Sequence, residues 1–591
     1  MSVRFAPLLL VLVCAALALG SYLQAFSYPF IFDDSVFITN NSRLATLPWY
    51  QLWRVFTEPY NTVFEFLPLR DLSFWLDMAL SGQASPSVPR LDNILLYLLS
   101  LPLVYAATLS LWRYFRPADA ASAPWAAAVV TALFALHPAL VESVVWVTGR
   151  KYILPNLFSL LALWLATKVK LEGGFSSKYA TATLLAFVAV MFSKSSYVAV
   201  APLVAMLWLV FWLDIPPQQR RRSLLLWPCT ILLLAGVLTL IFITQNKGYD
   251  TVPAYYSMES VVRSLAALGW LVRLALSPES RHFFYPVLED ANLPAMVVFG
   301  AMVLLAACVG AVAMLRKRSF TGFLLAAFFL LCVPYLQLIP AKPPSLVSDR
   351  YVALAVWPVV LLIVSLAWRL KPAFRAAVLL AIALPWAYQT IERPQDWRSP
   401  GTLIDADLNA YSWHYLPALY KINQILLPQG LYREARETAS KIADPEMKSM
   451  ANELIQSDYA VYSYAWSTGK TDAAIASLWS LDAIRKQTPA RIRWNPSMAF
   501  IWESIRIRID IRWKYLAGKF PADALVRYNT GLWLLNNGKY DEAATHLRAA
   551  TELSPRDTKA YCSLAEVYRH TGREEDAARA ETECHHEKVM Q

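Results

Sequence analysis

Long apolar stretches recur along the first two thirds of the chain, and a mixed sequence follows them. A helix needs about 20 predominantly apolar residues to cross the hydrocarbon core of a bilayer, and most of these stretches approach that length. The pattern predicts an all-α, polytopic membrane domain over residues 1–395, with a long outer loop at 27–90. The predicted spans are 7–26, 91–112, 125–145, 152–168, 179–196, 197–213, 223–244, 292–315, 320–339, 351–368 and 373–391.

A further helical stretch at 259–277 is amphipathic, because Arg263 and Arg273 interrupt its apolar residues. Cytoplasmic loops of membrane proteins carry an excess of Lys and Arg. If the N-terminus is inside and 259–277 does not cross, the basic clusters between spans all fall inside. These clusters are Arg113/Arg116, Lys168/Lys170/Lys178, Arg220–Arg222, Arg316–Arg318 and Arg369/Lys371. We therefore predict an interfacial or re-entrant helix on the outer face at 259–277.

The last third of the chain repeats with a period of 34 residues. YNTGLWLLNNGKYDEAATHLRAATELSP is followed, one period later, by YCSLAEVYRHTGREEDAARAETEC, with small residues at tetratricopeptide spacing. Weaker copies stand at Gln429–Ala435 and Thr468–Ala474, and a degenerate copy is predicted at 490–520. We predict a linker at 396–404 and a helical repeat domain at 405–591, which binds a protein partner. The alternative is a structural cap on the membrane domain.

Composition narrows the class of protein. Hydrophobic residues make up 57% of the chain, and the formal net charge is +11. Because the basic clusters flank apolar spans, they indicate membrane topology rather than nucleic-acid binding. No CxxC pair occurs among the six cysteines, so a structural zinc site is not predicted. Cys562 lies near the start of the first helix and Cys584 near the end of the second helix of one predicted hairpin. Antiparallel packing brings these ends together, so a disulfide is possible, but we expect two separate buried thiols.

Charged residues converge on one side of the predicted membrane. Asp33 and Asp34 follow the first span directly, in FDDSVF. The predicted topology also brings Glu142, Arg150, Lys194 and Arg350 to the outer face. Carboxylates and cations at span ends cost solvation energy if merely buried, so their convergence indicates a functional site.

Six ordered motifs resemble those of multispanning glycosyltransferases of the GT-C type that carry C-terminal tetratricopeptide repeats. The resemblance is to the transmembrane-and-TPR (TMTC-type) protein O-mannosyltransferases and their bacterial relatives, over nearly the whole chain. The motifs are FDDSVFITNN (Phe32–Asn41), LPLRDLSFWLDMALSG (Leu67–Gly82), RLDNILLYLL (Arg90–Leu99), HPALVESVVWVTGRK (His137–Lys151), FSKSS (Phe192–Ser196) and SDRY (Ser348–Tyr351).

The resemblance implies an inverting transferase that moves a sugar from a polyprenyl-phosphate carrier to a hydroxyl acceptor, a Ser or Thr of a protein, on the outer face. Such chemistry needs a base for the hydroxyl and cations for the leaving phosphate. Asp33, then Asp34, is the expected base. Arg350, then Arg150 and Lys194, would bind the phosphate, because a guanidinium gives bidentate contacts. His137, Glu142 and Arg70 would orient acceptor or donor. No metal ligand is assigned, although a divalent metal is compatible with the chemistry.

Each assignment has a structural alternative. In these alternatives Asp33 and Asp34 are solvated residues that mark the membrane interface, and Arg350 only pairs with Asp349. Glu142 only balances Arg150, and Arg70 and Asp71 form an ordinary loop pair. His137 caps a span end, and Lys194 is a snorkelling anchor.

Two other functions also fit the pattern: a non-enzymatic assembly factor anchored in the membrane, or a transporter or flippase of a lipid-linked substrate. A transporter favours charges at mid-membrane, whereas here they gather at span ends, which favours the transferase. We expect a bacterial inner-membrane protein with periplasmic repeats, or alternatively an endoplasmic-reticulum protein with lumenal repeats.

Overall fold

The fold is described from a computed structural model of the 591-residue chain. The structure describes residues 5–58, 66–82, 85–171, 174–216, 223–245, 258–276, 282–336, 338, 345–486 and 497–585. The chain forms two compact units, Met1–Asn409 and Ala410–Gln591. The predicted basic cluster Arg220–Arg222 lies outside the described residues, as does part of the degenerate repeat.

The first unit is a bundle of helices, which confirms the predicted all-α polytopic fold. Its only described strands, Lys170–Leu171 and Gly174–Phe175, form a two-residue antiparallel pair. The helices are α1 (Ala6–Leu23), α2 (Ser42–Thr46), α3 (Pro68–Ser81), α4 (Ser87–Phe115), α5 (Ala123–Ala135), α6 (Val141–Val145), α7 (Arg150–Thr167), α8 (Ser177–Ser193), α9 (Val200–Leu213), α10 (Ser223–Gln245), α11 (Met258–Leu276), α12 (Leu293–Lys317), α13 (Phe320–Cys332), α14 (Val356–Ala367), α15 (Pro372–Glu392) and α16 (Pro400–Ala410).

A helix lies at each predicted span, but α5 ends at Ala135, so the span predicted at 125–145 is too long at its C-terminal end. Six stretches of the described chain are long and apolar enough to cross a membrane, and four shorter apolar helices accompany them. The six are Ala6–Leu23, Ser87–Phe115, Pro117–Ala135, Ser195–Leu213, Leu293–Lys317 and Pro372–Arg398. The chain is therefore an integral membrane protein of several spans. The linker predicted at 396–404 overlaps α16, where Leu403 and Ile404 are fully buried.

One end of this bundle collects the basic helix ends. Arg318, after α12, pairs with Asp214, after α9, at 2.7 Å. Tyr114, near the end of α4, donates to the same carboxylate. Trp112 of α4 packs edge-on against Trp368, after α14, with ring centroids 5.5 Å apart. The ends of α4, α9, α12 and α14 therefore lie together, as the predicted topology requires of segments that share one side of the membrane.

Helix α11, the stretch predicted to be interfacial, packs closely on α12. A side chain added at Gly269 would place its Cβ 2.5 Å from the carbonyl oxygen of Met296, and one at Gly300 would collide with the Leu265 carbonyl. Glycine is required at both positions because the two backbones touch. The crossing lies in the first third of α12, away from its basic end. Whether α11 crosses the membrane stays a prediction.

The second unit is a series of helical hairpins. Its helices are α17 (Tyr415–Tyr420), α18 (Tyr432–Lys441), α19 (Pro445–Tyr459), α20 (Ala465–Thr468), α21 (Asp472–Lys486), α22 (Ser497–Lys519), α23 (Ala524–Asn536), α24 (Tyr540–Leu553), α25 (Thr558–His570) and α26 (Glu574–His585). The glycines of the four clear or weak repeat copies, Gly430, Gly469, Gly538 and Gly572, share φ of +70 to +73. At each copy this left-handed glycine lies in the turn between two consecutive helices. Their assignment as tetratricopeptide repeats stays a prediction.

Cys562 of α25 and Cys584 of α26 form a disulfide, with Cα atoms 4.9 Å apart. The expectation of two separate buried thiols is therefore wrong. The reason is geometric, since antiparallel helices bring the first turn of one beside the last turn of the other. The bridge closes the terminal hairpin of the array.

Candidate active site

The segment between α5 and α7 builds most of the candidate site. His137 follows the first of these helices, and its Nδ1 accepts a hydrogen bond from the Ala139 backbone N–H at 3.2 Å. A short 3-10 turn at Pro138–Leu140, helix α6 and a second turn at Val147–Gly149 come next. A Cβ at Gly149 would collide with the carbonyl oxygen of Ser143. The glycine of the GRK element therefore lets the chain fold tightly before Arg150 starts α7.

Arg150 is fully buried, and partners surround its guanidinium. Nη1 donates to Asp77 Oδ2 at 2.6 Å and to Ser73 Oγ at 3.2 Å, and Nε donates to Asn93 Oδ1 at 2.8 Å. Nη2 donates to the Pro89 carbonyl. This arrangement ties α3, α4 and α7 together. It gives Arg150 a structural role and leaves no side of its fork open to a phosphate.

Asn93 and Arg90, one turn apart on α4, hold the surrounding loops. Asn93 Nδ2 donates to the carbonyls of Trp146 and Val147 at 3.0 and 3.1 Å. Arg90 donates to the carbonyls of Val145 and Tyr28 at 2.9 and 2.7 Å. We call Arg150, Asp77, Asn93 and Arg90 the framework cluster, since each of them fixes one backbone segment of the site to another.

Asp34 belongs with this framework. Its side chain is fully buried and accepts hydrogen bonds from the backbone N–H groups of Ile31 at 3.0 Å and Thr148 at 2.8 Å, and from the Thr148 hydroxyl. Burial raises the pKa of Asp34 to about 6, although these hydrogen bonds and the charge of Arg90 act in the opposite direction. A carboxylate enclosed in this way fixes the loop after α1 to the turn before α7.

The side chain of Asp33, unlike that of Asp34, is not enclosed by the protein. Its neighbour Phe32 has a φ of 50°, a left-handed conformation that costs a non-glycine residue about 1–2 kcal/mol. The Phe32 ring stacks on Phe283, with centroids 4.7 Å apart, which compensates for part of that strain. The Asp33 side chain stays 40% exposed, and its Oδ2 lies 3.2 Å from Lys151 Nζ. Asp33 is thus an accessible carboxylate beside a cation.

Arg350 pairs with Glu142, and both side chains are buried. The Arg350 Nη1 and backbone N–H both donate to this carboxylate, the latter at 3.1 Å. The alternative pairs do not form. Asp349, the alternative partner of Arg350, accepts from the Tyr285 hydroxyl at 2.8 Å. Arg150, the alternative partner of Glu142, pairs with Asp77. Within the described residues the Nε and Nη2 groups of Arg350 make no hydrogen bond. They are available to a ligand.

Aromatic rings enclose the Arg350 guanidinium. Its central carbon lies 5.0–5.9 Å from the ring centroids of Tyr351, Phe283, Trp146 and Tyr152. The Lys151 Nζ lies 5.6 Å from the same Trp146 ring. Cations held over aromatic faces keep their charge at a lower cost of desolvation. Asp33, Lys151, Glu142 and Arg350, which we call the rim cluster, are thereby joined through Trp146.

The other predicted site residues, His137, Arg70 and Lys194, mainly contact protein groups outside the rim cluster. His137 is buried between the Ala139 N–H, the Ala275 carbonyl and the Trp386 ring. Arg70 pairs with Asp71 at 2.7 Å and covers the Phe37 ring at 4.0 Å. The Lys194 Nζ lies 4.8 Å from the Tyr152 ring, beside the rim cluster. The capping and pairing alternatives for His137 and Arg70 therefore match the geometry, and Lys194 keeps a place near the site.

Several contributors to the site were not singled out from the sequence. Asp407, buried in α16, accepts from the backbone N–H groups of Phe283 and Phe284 at 2.9 and 2.8 Å. This carboxylate fixes the Phe283 ring against Arg350 from more than 120 residues away in the chain. No local pattern signals such a contact. Trp146 and Lys151, in contrast, stand within the quoted HPALVESVVWVTGRK motif and were open to prediction.

No protein-family model matches the chain. The mouse and human proteins named protein O-mannosyl-transferase TMTC2 are each 31% identical to it over 173 residues, which is 28% of this chain. The match spans about a fifth of the length of these curated relatives, at 20%. It confirms the resemblance to TMTC-type transferases that the motifs indicated.

Two solved structures are also similar, at low scores. The archaeal oligosaccharyltransferase AglB from Archaeoglobus fulgidus, in complex with an inhibitory peptide and a dolichol-phosphate, has a TM-score of 0.38 at 14% identity, over 73% of this chain and 59% of that one. A point mutant of MamA has a TM-score of 0.14 at 17% identity, over 30% of this chain and 97% of that one. The helices define a polytopic membrane protein, and one 173-residue stretch of it is similar to proteins named O-mannosyl-transferases.

Proposed function

We propose that the chain is a membrane glycosyltransferase that moves one sugar from a polyprenyl-phosphate carrier to a hydroxyl acceptor. The observation that carries the proposal is the rim cluster. In it Lys151 pairs with an accessible carboxylate, and Lys151 and an arginine with unused donors both lie 5.6 Å from the Trp146 ring centroid. Proton removal and stabilisation of a leaving phosphate need the carboxylate and the arginine. The match to O-mannosyl-transferases supports mannose as the sugar and a protein Ser or Thr as the acceptor.

Asp33 acts as the base in this scheme. Its carboxylate takes the proton of the acceptor hydroxyl while the hydroxyl oxygen attacks the anomeric carbon from the face opposite the phosphate. The bond from that carbon to the phosphate oxygen breaks, and the configuration inverts. Lys151 holds the Asp33 carboxylate in position through the 3.2 Å contact.

Arg350 receives the charge that develops on the leaving polyprenyl phosphate. Its Nε and Nη2 make no hydrogen bond within the described residues, and a planar guanidinium suits two phosphate oxygens at once. Glu142 and the aromatic rings fix the orientation of the fork. Lys194 provides a second positive charge close to Tyr152.

The predicted topology assigns the rim cluster to the outer face, periplasmic in a bacterium. The helical array of the second unit would bring a protein acceptor to the same side. Its repeated hairpins provide the kind of extended surface that solenoids use for peptide segments.

Replacement of Asp33 tests the proposal most directly. Asp33→Asn keeps the shape of the side chain and removes the base, which should lower the rate by about 10²–10⁴-fold. The assay uses the purified full chain in lipid nanodiscs, with polyprenyl-phosphate mannose and a Ser/Thr-containing peptide. Asp290→Asn, the same change in the turn before α12, is the control and should transfer normally. Wild-type transfer by the Asp33→Asn protein would remove Asp33 from the role.

A further inference from the structure

The basic helix ends opposite the candidate site have no part in the proposed transfer reaction. We propose that they bind the headgroup of an anionic phospholipid, which Arg116 and Arg375 hold over a platform of Trp112 and Trp368. Asn93 of the framework cluster and Trp112 lie at opposite ends of α4, about 28 Å apart at about 1.5 Å per residue. The two sites are therefore separate.

The platform is built from two cation–aromatic pairs. The central guanidinium carbon of Arg116 lies 4.6 Å from the Trp112 ring centroid, and that of Arg375 lies 4.3 Å from the Trp368 ring centroid. The two indoles contact each other edge-on at 5.5 Å, so the two pairs are adjacent. Stacking on an indole fixes the plane of a guanidinium and leaves the N–H groups at its edge accessible.

These guanidinium groups are poorly neutralised by the protein. Within the described residues Arg375 has no ion pair or hydrogen bond through its side chain, and the acid that faces Arg116 is Asp119, at 3.9 Å. Burial lowers the pKa of Arg116, Asp119 opposes that shift, and the positive charge of Arg369 lowers the pKa further. Arg369 directly follows Trp368, whose ring contacts Trp112, so a third charge stands beside the platform. Like charges placed together without matching acids indicate an anionic ligand.

The neighbouring side chains identify the ligand as amphipathic. Leu370 and Phe374 are 40% and 70% exposed. Leu370 follows α14 and Phe374 lies in the first turn of α15. The ends of membrane-spanning helices lie where phospholipid headgroups meet acyl chains. A phosphate on the arginines with acyl chains along Leu370 and Phe374 satisfies both features, whereas a free phosphate would leave the apolar residues uncovered. Basic pockets between spanning helices are known lipid sites.

Native mass spectrometry of the detergent-solubilised full chain tests the proposal. Phosphatidylglycerol is titrated in, with phosphatidylcholine as the neutral comparison, and bound lipids are counted. Each interfacial arginine contributes about 1 kcal/mol to binding of an anionic lipid, which is about fivefold in affinity. Arg375→Gln should therefore weaken phosphatidylglycerol about fivefold, and the Arg116→Gln/Arg375→Gln pair more than tenfold. Arg433→Gln removes one charge from the second unit, where that side chain is 93% exposed, and should bind as wild type.

Three results would overturn the proposal. One is unchanged phosphatidylglycerol binding by the double glutamine variant, and another is equal binding of phosphatidylcholine by the wild type. The third is displacement of phosphatidylglycerol by millimolar inorganic phosphate, which would make the ligand a free anion. If the double glutamine variant does not fold, the same titration is made with Arg116→Lys/Arg375→Lys, because this variant keeps the positive charges that set the membrane topology. Wild-type affinity in that variant would exclude a role for the stacked guanidinium planes.

Discussion

Two buried arginines at the same end of the bundle use their guanidinium groups in opposite ways. In the framework cluster, Arg150 donates from all three nitrogens to Asp77, Ser73, Asn93 and Pro89. In the rim cluster, Arg350 donates from one side-chain nitrogen to Glu142 and is otherwise surrounded by rings. The number of donors left unused, rather than burial or the presence of an acid, separates a group that holds the fold from one that can bind a ligand.

The adjacent acids show the same division. Asp34 is enclosed and accepts three hydrogen bonds, whereas the Asp33 side chain is 40% exposed. A left-handed Phe32 precedes them, and the two carboxylates point to different clusters. Changes in the framework should therefore act on stability, and changes at the rim should act on transfer.

The largest effect is expected from Arg150→Ala. It removes the guanidinium that pairs with the buried Asp77 and the ties between α3, α4 and α7. Breaking a buried pair from one side costs about 3–5 kcal/mol. Thermal unfolding of the purified chain in detergent should show a large drop in the melting temperature. Arg54→Ala, which removes an exposed pair with Glu58, is the control and should melt as wild type. Equal melting of both variants would contradict the framework role.

Arg350→Lys should act on the rate instead. Lysine keeps a positive charge against Glu142 but loses the second donor direction of the planar fork. Loss of one such donor to a charge that develops in the transition state costs about 10²–10³-fold in rate. The rate of transfer per folded molecule should fall by this factor with little change in melting temperature.

Arg150→Lys provides the matched comparison, since it should lower the melting temperature and keep the rate per folded molecule. If Arg350→Lys transfers at the wild-type rate, Arg350 serves only to neutralise Glu142. If Arg150→Lys loses transfer without loss of stability, the two clusters do not divide as their hydrogen bonds indicate.

The sequence predicts much of this organisation. Apolar periodicity locates the helices, and the repeat spacing locates the four left-handed glycines. The motifs also select Asp33 and Arg350. The motifs do not predict which charged residues pair with each other. Glu142 and Arg350 are 208 residues apart in the chain, and Arg150 and Asp77 are 73 residues apart. Such partners depend on how helices pack, and equally plausible neighbours, Asp349 for Arg350 and Arg150 for Glu142, stand closer in the chain.

The smallest effect concerns the pH dependence of stability. Burial raises the pKa of Asp34 from 3.8 to about 6, so the folded chain holds a proton that the unfolded chain releases between these values. Stability should therefore fall as pH rises from about 4 to 6, and the loss should persist above 6. A shift of about two units corresponds to at most about 3 kcal/mol. Unfolding measured across pH 4–7.5 should show this slope in the wild type.

Asp34→Asn removes the ionisable group and should remove that part of the slope, while Asp33→Asn, one residue away and exposed, should leave it in place. The sign of the change is informative. A wild type that gains stability relative to Asp34→Asn as pH rises would mean that the three hydrogen bonds from Ile31 and Thr148 outweigh burial. Asp34 would then be a charged anchor for the loop after α1, enclosed where a substrate cannot reach it.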